Sequence, residues 1–312
     1  MSAKLKIGTR GSPLALAQAT QVAGLLRQAH PQLAAPDAIE TVIIKTTGDR
    51  IQDRTLAEAG GKGLFTKEIE EALAAGQIDL AVHSMKDVPT FLPEGLEISC
   101  LLPREDPRDA FFSSLADHPD RLPPGSVVGT ASLRRGAQIL ARRPDLVVMP
   151  LRGNVGTRLK KLEEGQADAT LLALAGLKRL GLADRATAIL EPDCMLPAVA
   201  QGAIGLEIRQ ADTATRVLLD PLNCPVTMAA VTAERAVLGL LDGSCRTPIA
   251  ALATIAGGRL RLAALVIRPD GSQGFRAERD GAAADAARLG ADAGAELKAL
   301  LPADFFGPPA GK

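Results

Sequence analysis

The chain has 312 residues, about twice the usual size of one domain, so two or three domains are expected. Its 36 basic and 36 acidic side chains cancel, and seven Phe are its only Phe, Tyr or Trp residues. A general nucleic-acid binder needs surplus positive charge and stacking rings, so that class is disfavoured. Arg outnumbers Lys by 25 to 11, and Arg is the better partner for planar carboxylates and phosphates.

The cysteines and the N-terminus favour a soluble cytoplasmic protein with reduced thiols. Cys100, Cys194, Cys224 and Cys245 form no C-x-x-C pair and have no zinc-like spacing with the three histidines, so neither a disulfide framework nor a metal site is expected. The first ten residues are charged and lack the apolar core of a secretion signal. No apolar stretch approaches the ~18 residues of a membrane span, so no membrane partner is expected.

Strands and helices alternate through the first hundred residues. Ser12 as N-cap and Pro13 at the first helical position predict that a helix begins directly after the first strand. The third predicted strand leads into His83-Ser84-Met85-Lys86-Asp87, which Pro89 ends. Strands are predicted over residues 5–8, 41–46 and 78–82, and helices over about 14–29 and 66–75, the second burying Phe65, Ile69, Ala72 and Leu73.

The same order recurs in the middle of the chain. Residues 127–130 resemble residues 7–9, and residues 162–168 echo residues 73–79. Two similar α/β domains, each with a mainly parallel sheet, are therefore predicted, with a chance similarity of short segments as the alternative. Strands are predicted near 126–130, 146–151 and 169–174, and helices after Ala131 and after Asn154.

The pattern changes after about residue 220. A long helix over 227–241 is followed by three strand-like runs, which Gly257-Gly258 and Pro269-Asp270-Gly271 join as hairpin turns. The third domain is therefore predicted to be a smaller α+β unit with a three-stranded antiparallel sheet. Its strands are predicted over 249–255, 259–267 and 275–278, followed by an Ala-rich helix to about residue 301 and a mobile tail over 306–312.

Cationic side chains cluster near the carboxyl ends of the predicted strands, where α/β proteins bind ligands. Lys62 and Lys86 add to six arginines there, so a ligand with several carboxylates or phosphates is expected. The alternative for any one arginine is an exposed helix face or an ion pair. No Walker loop or G-x-G-x-x-G fingerprint is present, which disfavours a nucleotide. The six are Arg10, Arg134, Arg135, Arg152, Arg158 and Arg179.

Three further side chains are candidates for chemistry. Asp87 suits a carboxylate that stays ionised beside a cationic reaction centre or relays a proton, and its alternative role is to cap a turn. His83 is more simply explained as a satisfied, partly buried histidine. Cys245 lies in a loop beside Arg246 and suits a nucleophile or an attachment point, whereas the other cysteines suit packing.

Seven segments, in order along nearly the whole chain, resemble the porphobilinogen deaminase family, also called hydroxymethylbilane synthases. The resemblance implies that four porphobilinogen molecules are joined head to tail, with loss of ammonia each time, to give hydroxymethylbilane. It also implies a dipyrromethane cofactor, built from the substrate and attached through a thioether to Cys245. The segments are residues 8–16, 60–65, 81–89, 129–135, 152–159, 197–205 and 231–245.

The resemblance also implies roles for individual residues. Asp87 matches the residue that stabilises the cation left by ammonia loss and shuttles pyrrole protons. Arg179 and Gln201 match residues on the substrate side, with Gln201 at the crossing between domains, and no metal is implied. The residues matched to cofactor or substrate carboxylates are Arg10, Lys62, Lys86, Arg134, Arg135, Arg152 and Arg158, with Ser84, Ser132 and Asn154 as hydrogen-bonding companions.

The architecture implied by the resemblance is two periplasmic-binding-protein-like α/β domains that flank a cleft. Domain 1 would span residues 1–102 and 197–220, domain 2 residues 103–196, and the cofactor-attachment domain residues 221–312. A monomer is expected. Three positions depart from the family pattern: Ala131 and Ala200 stand where Ser and Gly are frequent, and Glu58 stands where some members carry Lys.

Two other classes of protein fit part of this pattern. A non-catalytic anion-binding protein of the periplasmic type, or a sensor domain, would share the two domains and the cleft. It would have no use for Cys245 or Asp87, and the sequence shows neither a secretion signal nor a DNA-binding helix pair. RNA binding through Arg134-Arg135 and Arg142-Arg143 would call for more aromatic residues.

Overall fold

The computed structural model describes residues 4–50, 63–241, 247–302 and 304–305. Within these ranges the chain forms two five-stranded sheets and one three-stranded sheet, with helices packed around them. The expected architecture, two α/β units and a smaller α+β unit, is confirmed. Glu58, Lys62, Cys245 and the tail over 306–312 lie outside the described residues, and what the sequence predicts for them stays a prediction.

The regular elements follow one another closely along the described chain. The strands are β1 Leu5–Thr9, β2 Ile39–Ile43, β3 Leu80–Ser84, β4 Leu96–Leu101, β5 Asp109–Ser113, β6 Val127–Gly129, β7 Val147–Met149, β8 Ala169–Ala173, β9 Ala188–Leu190, β10 Ile204–Arg209, β11 Ile249–Ala256, β12 Arg259–Ile267 and β13 Gly274–Ala282. The helices are α1 Pro13–Ala29, α2 Thr47–Arg50, α3 Lys67–Ala74, α4 Leu133–Arg142, α5 Val155–Glu163, α6 Leu174–Arg179, α7 Thr213–Leu219, α8 Pro225–Leu240 and α9 Ala286–Leu300.

The two five-stranded sheets have the same topology. Their strand orders are β2-β1-β3-β10-β4 and β7-β6-β8-β5-β9. In each sheet the fourth strand, β10 or β5, runs antiparallel to both neighbours, so each sheet is mixed, with four strands in one direction and one reversed. The sequence pattern did not show this reversal because hydrophobic periodicity identifies a strand without fixing its direction.

Equivalent hydrogen bonds in the two sheets explain the sequence echo. The Asp79 carboxylate accepts a 2.7 Å bond from the Lys6 backbone N–H just ahead of β3. The Asp168 carboxylate accepts one of 2.7 Å from the Val127 N–H just ahead of β8. Both aspartates end the echoed segments, so the prediction of two similar α/β units is confirmed.

Helix caps in both five-stranded units form as the sequence indicates. Ser12 accepts a hydrogen bond from the Ala15 N–H, and α1 begins at Pro13. Ser132 and Asn154 cap α4 and α5 in the same way, each accepting from a backbone N–H three residues ahead. These caps satisfy N–H groups that the first helical turn leaves without partners. The second strand runs over Ile39–Ile43 rather than 41–46, and α2 begins at Thr47.

The α+β unit has the predicted meander, in the order β11-β12-β13, with α8 and α9 packed against it. Its turn residues Gly257, Gly258 and Gly271 all have positive φ, as such turns require. Its core is continuous with the first unit, since Met85 and Val88 are buried in the same cluster as α8. Within the described ranges, none of the helices is both long and apolar enough to span a membrane.

Two chain segments cross side by side between the first and second units. Gly202 has φ +91°, and a Cβ atom there would lie 2.3 Å from the carbonyl oxygen of Glu105 in the other segment. The buried carboxylate of Glu234, on α8, accepts bonds from the Ala200 N–H at 2.6 Å and from Arg104 Nη1 at 2.5 Å. Helix α8 therefore ties both crossing segments to the α+β unit.

Candidate active site

The Asp87 carboxylate stands on a short 3₁₀ turn, Met85–Asp87, that follows β3 directly. The Met85 N–H donates to the Ala203 carbonyl at 3.0 Å, and the Val88 N–H donates to the Met85 carbonyl at 3.2 Å. Met85 is 2 % exposed, whereas Lys86 and Asp87 keep part of their surface. The buried methionine thus anchors a turn whose two charged side chains remain accessible.

Arg10 approaches Asp87 from the loop after β1. Its Nη1 lies 4.0 Å from Asp87 Oδ2, and its guanidinium lies 4.2 Å above the centroid of the Phe65 ring. On its other edge, Nε and Nη2 donate to Asp49 Oδ1 at 3.2 and 2.5 Å. Burial would raise the pKa of Asp49, but hydrogen bonding and charge from Arg10 outweigh it and lower that pKa. Asp49 therefore orients Arg10 and leaves Nη1 for a second carboxylate.

Phe65 was predicted to lie on the buried face of α3, and the structure places it differently. It precedes the helix, is only partly buried, and forms the surface on which the Arg10 guanidinium stacks. The helix face instead buries the polar residue Glu70 beside Ile69, Ala72 and Leu73. An aromatic residue one position before a helix N-cap can serve the neighbouring loop, which periodicity alone does not reveal.

Arg134 and Arg135, in the first turn of α4, share one buried carboxylate. Arg134 Nη1 lies 2.8 Å from Asp109 Oδ2, and Arg135 Nη2 donates to Asp109 Oδ1 at 2.7 Å. Gln201 Nε2 also donates to Asp109 Oδ1, at 2.9 Å. Burial alone would raise the pKa of Asp109, but the two arginines hold it well below its usual range. The four side chains form one network behind the cleft.

Lys86 and Arg158 carry positive charge that no described carboxylate neutralises by direct contact. Burial lowers the pKa of the Lys86 ammonium to about 8, and Arg135 and Arg158 add to the shift against the opposing charge of Asp87. Burial, with the charges of Arg135 and Arg152, likewise lowers the pKa of Arg158 to about 10. The cleft therefore brings the cations of both five-stranded units within electrostatic range of Asp87.

The excess of cations over carboxylates shows whether these residues could hold a group with several carboxylates. Carboxylates supplied by a ligand would offset the repulsion among Lys86, Arg135 and Arg158, and would bond to guanidinium groups that are already oriented. The residues present therefore fit such a group. Within the part of the chain that the structure describes, no three His, Cys, Asp or Glu side chains are placed to hold a metal ion.

The other predicted contacts also have local partners. Ser84 Oγ lies 2.9 Å from Gln18 Nε2, which donates to it. Arg179, partly buried at the end of α6, donates to the Gly202 carbonyl at 2.8 Å, where the chain segments cross. Arg152 is partly buried just ahead of α5, and its charge acts on Arg158. The ligand contacts of these residues stay predictions.

His83 is a structural residue, in line with the simpler explanation of it. Its Nε2 lies 2.8 Å from Glu207 Oε2 on β10, and both side chains are buried. Glu70 is buried nearby, and burial together with the charge of Glu207 raises its pKa. No contact joins His83 to Asp87 among the described residues. The pair instead joins β3 to β10 directly behind the Asp87 turn.

Sequence reasoning missed the carboxylates that organise the site: Asp49, Asp109 and Glu207. A signal exists for Glu207, because it interrupts the apolar run of β10 and an acid inside a buried strand needs a partner. Asp109 gives a similar signal at the start of β5, beside Ala-Phe-Phe. The partners of both lie far away in sequence, so only the fold identifies them.

The lowered pKa of Lys86 predicts that the cofactor-free chain takes up protons when it binds a polycarboxylate. At pH 8 a group with a pKa of about 8 is half protonated, and bound carboxylates raise its pKa, so uptake of about half a proton is expected. Calorimetry of a synthetic dipyrromethane tetracarboxylate, in two buffers of different ionisation enthalpy, measures it. The Lys86→Gln variant should lose this uptake, and equal uptake by both chains would contradict the assignment.

Comparisons with known proteins address the family. Residues 5–217 match the family model described as porphobilinogen deaminase, dipyromethane cofactor binding domain. Residues 228–299 match the model described as porphobilinogen deaminase, C-terminal domain. A periplasmic substrate-binding protein of an ABC transporter from Coxiella burnetii matches as a solved structure, with 13% identity, a TM-score of 0.44, and 74% of this chain and 96% of that chain covered.

Curated relatives match over nearly the whole chain. The porphobilinogen deaminase of Paracoccus denitrificans is 58% identical over 302 residues, which are 97% of this chain and 96% of that protein. The chloroplastic porphobilinogen deaminase of Oryza sativa subsp. japonica is 55% identical over 305 residues, 97% of this chain and 85% of that protein. Identity at this level over this length, together with both family models, shows that the chain belongs to the porphobilinogen deaminase family.

Proposed function

We propose that this chain is a porphobilinogen deaminase, a transferase that condenses four porphobilinogen molecules head to tail, releases ammonia, and forms hydroxymethylbilane. The observation that carries the proposal is the position of Asp87 among Arg10, Lys86 and Arg158, in a cleft with more cations than carboxylates. Each porphobilinogen carries an acetate and a propionate. Every added ring therefore brings two carboxylates that such cations can bind.

The proposed cofactor is a dipyrromethane attached through a thioether to Cys245. When bound, it supplies the pyrrole end to which substrate units are added. Arg10, through Nη1, together with Lys86 and Arg158 would hold its carboxylates and those of the substrate. Arg134 and Arg135 contribute positive charge and are held in place by Asp109. We assign to cofactor contacts Lys62, Ser84, Ser132, Arg152 and Asn154. We assign to substrate contacts Arg152, Arg179 and Gln201.

Asp87 is the proposed catalytic residue. Ammonia leaves with the electron pair of the broken C–N bond, so positive charge remains on the methylene-pyrrole of the substrate. An ionised carboxylate fixed nearby stabilises that charge more effectively than water does, because it needs no reorganisation. A new C–C bond then forms at a pyrrole carbon, and we assign to the Asp87 carboxylate the role of accepting the proton that this carbon releases.

The proposal is tested first at Cys245. Freshly purified protein should exceed its polypeptide mass by one dipyrromethane, and the tryptic peptide containing Cys245 should carry that increment. Cys245→Ala should remove both the added mass and the turnover, because the proposed thioether needs the sulfur of Cys245. Cys224→Ala is the matched control and should keep both. A wild-type chain with only the polypeptide mass would contradict the cofactor assignment.

The proposal extends to domain limits and to the state of the protein. Domain 1 is assigned to residues 1–102 and 197–220, domain 2 to 103–196, and the attachment domain to 221–312. The membership of β10 in the first sheet supports the return of the chain to domain 1. The enzyme is proposed to act as a cytoplasmic monomer on porphobilinogen, without nucleic-acid or membrane partners. Its formal charge of zero agrees with the absence of a nucleic-acid partner.

A further inference from the structure

Arg235, on α8, donates to three consecutive backbone carbonyls directly after Asp87. Its Nη1 lies 3.3 Å from the Val88 carbonyl oxygen, and its Nη2 lies 2.6 Å from that of Pro89 and 2.9 Å from that of Thr90. The three bonds cross from the α+β unit to the segment that carries the catalytic carboxylate. Arg235 was not among the residues that the sequence singled out.

The guanidinium of Arg235 is used for these carbonyls rather than for an ion pair. Among the described residues, no carboxylate lies within ion-pair distance of it, although its side chain is partly buried. Burial lowers its pKa, and the charge of Glu207 opposes that shift. A partly buried cation is unfavourable unless its donors are satisfied, and here backbone carbonyls satisfy them.

The Asp87 turn is also restrained by its own backbone and by packing against the α+β unit. One backbone bond, from Val88 N–H to the Met85 carbonyl at 3.2 Å, closes the turn, and Pro89 has no N–H to contribute. The side chains of Met85 and Val88 belong to the same buried cluster as Val231 and other residues of α8. Packing and the arginine therefore fix the turn from the same helix.

We propose that Arg235 is a positioning residue for Asp87. By holding the 88–90 segment, Arg235 keeps the Asp87 carboxylate in its position relative to Arg10 and Lys86. This inference rests on the proposed catalytic role of Asp87. The helix that supplies Arg235 ends at Leu240, five residues before Cys245 in the sequence. One helix thereby connects the chain segment of the attachment thiol with the turn of the acid–base group.

The test compares Arg235→Gln and Arg235→Lys with a matched control, Arg143→Gln. Arg143 also donates to three turn carbonyls, those of Pro119, Asp120 and Leu122, at 3.3, 2.9 and 2.8 Å, but it follows the C-terminal end of α4, remote from the Asp87 turn. Arg235→Gln should lower kcat by about 10- to 100-fold, the effect of a displaced catalytic group, with KM within about threefold and the dipyrromethane mass retained. Arg235→Lys should recover part of the loss, and Arg143→Gln should leave kcat unchanged.

A double variant separates positioning from simple stabilisation. In an Asp87→Asn background the carboxylate is already gone, so adding Arg235→Lys should change the residual turnover by less than about twofold. A full additional loss there, or wild-type kcat in both single Arg235 variants, would overturn the inference. If Arg235→Gln does not fold, the lysine variant and the double variant decide. Normal turnover by Asp87→Asn alone would instead contradict the proposed role of Asp87, and the inference with it.

Discussion

Asp87→Asn should leave the cofactor in place and reduce kcat by about 10²- to 10⁴-fold, the range for a positioned acid–base group. Asparagine has nearly the same shape, so the turn over Met85–Asp87 should keep its buried methionine and its backbone bonds. The amide cannot accept a proton or oppose the positive charge left by ammonia loss. KM for porphobilinogen should change by less than about threefold, because the proposed partners of the substrate carboxylates are Arg10 and Arg158 rather than Asp87.

Steady-state kinetics and intact-mass measurement on the same preparation check this result. Asp120→Asn is the matched control: Asp120 is also paired with an arginine, Arg142, but on the surface of the second unit. It should keep kcat within about twofold, as expected for an exposed pair. Normal kcat in Asp87→Asn, or loss of the added mass, would show that Asp87 does not have the assigned role.

Much of the fold follows from local signals that the sequence carries openly. The cap at Ser12 and the proline after it set the start of α1, and turn glycines set the hairpins of the α+β unit. The echo at Asp79 and Asp168 corresponds to real, equivalent hydrogen bonds. What local signals cannot supply is strand direction, because β10 pairs with β3 and β4, and β5 pairs with β8 and β9, all of them distant in the sequence.

The residues of the site were predictable to the same extent. The motifs placed Arg10, Lys86, Asp87 and Arg158 around one cleft, and the structure brings the three cations within electrostatic range of Asp87. The motifs did not show how those cations are oriented, since the orienting groups come from distant positions. Asp49 is 39 residues from Arg10, and Asp109 is 26 from Arg135.

Ala200 shows a departure from the family pattern with a structural consequence. It has φ +57°, the left-handed region that glycine adopts without strain and that is unfavourable by about 1–2 kcal/mol for other residues. Its N–H donates to Glu234, so the surrounding contacts hold the conformation. The resemblance implies a glycine at this position, and the backbone angle supplies a physical reason for that expectation.

Asp109→Asn should be among the most destabilising single changes in the chain, by about 3–5 kcal/mol in the free energy of unfolding. Asp109 is 0 % exposed and pairs with two arginines that are themselves almost fully buried. Its amide replacement would leave Arg134 and Arg135 as uncompensated charges in the interior. Chemical denaturation measures the loss, and cofactor loading should fall with it because the network behind the cleft no longer fixes Arg135.

The dependence of this loss on pH tests its electrostatic origin. Because the pKa of Asp109 is lowered in the folded chain, its ionised form contributes its full stability above the unfolded pKa of about 3.9. That contribution declines as the pH falls below this value toward the folded pKa. The wild type and Asp109→Asn should therefore differ fully at pH 7 and pH 5, and progressively less below pH 4. A difference that stays constant down to acid pH would mean that packing, rather than the charge of Asp109, holds the two arginines.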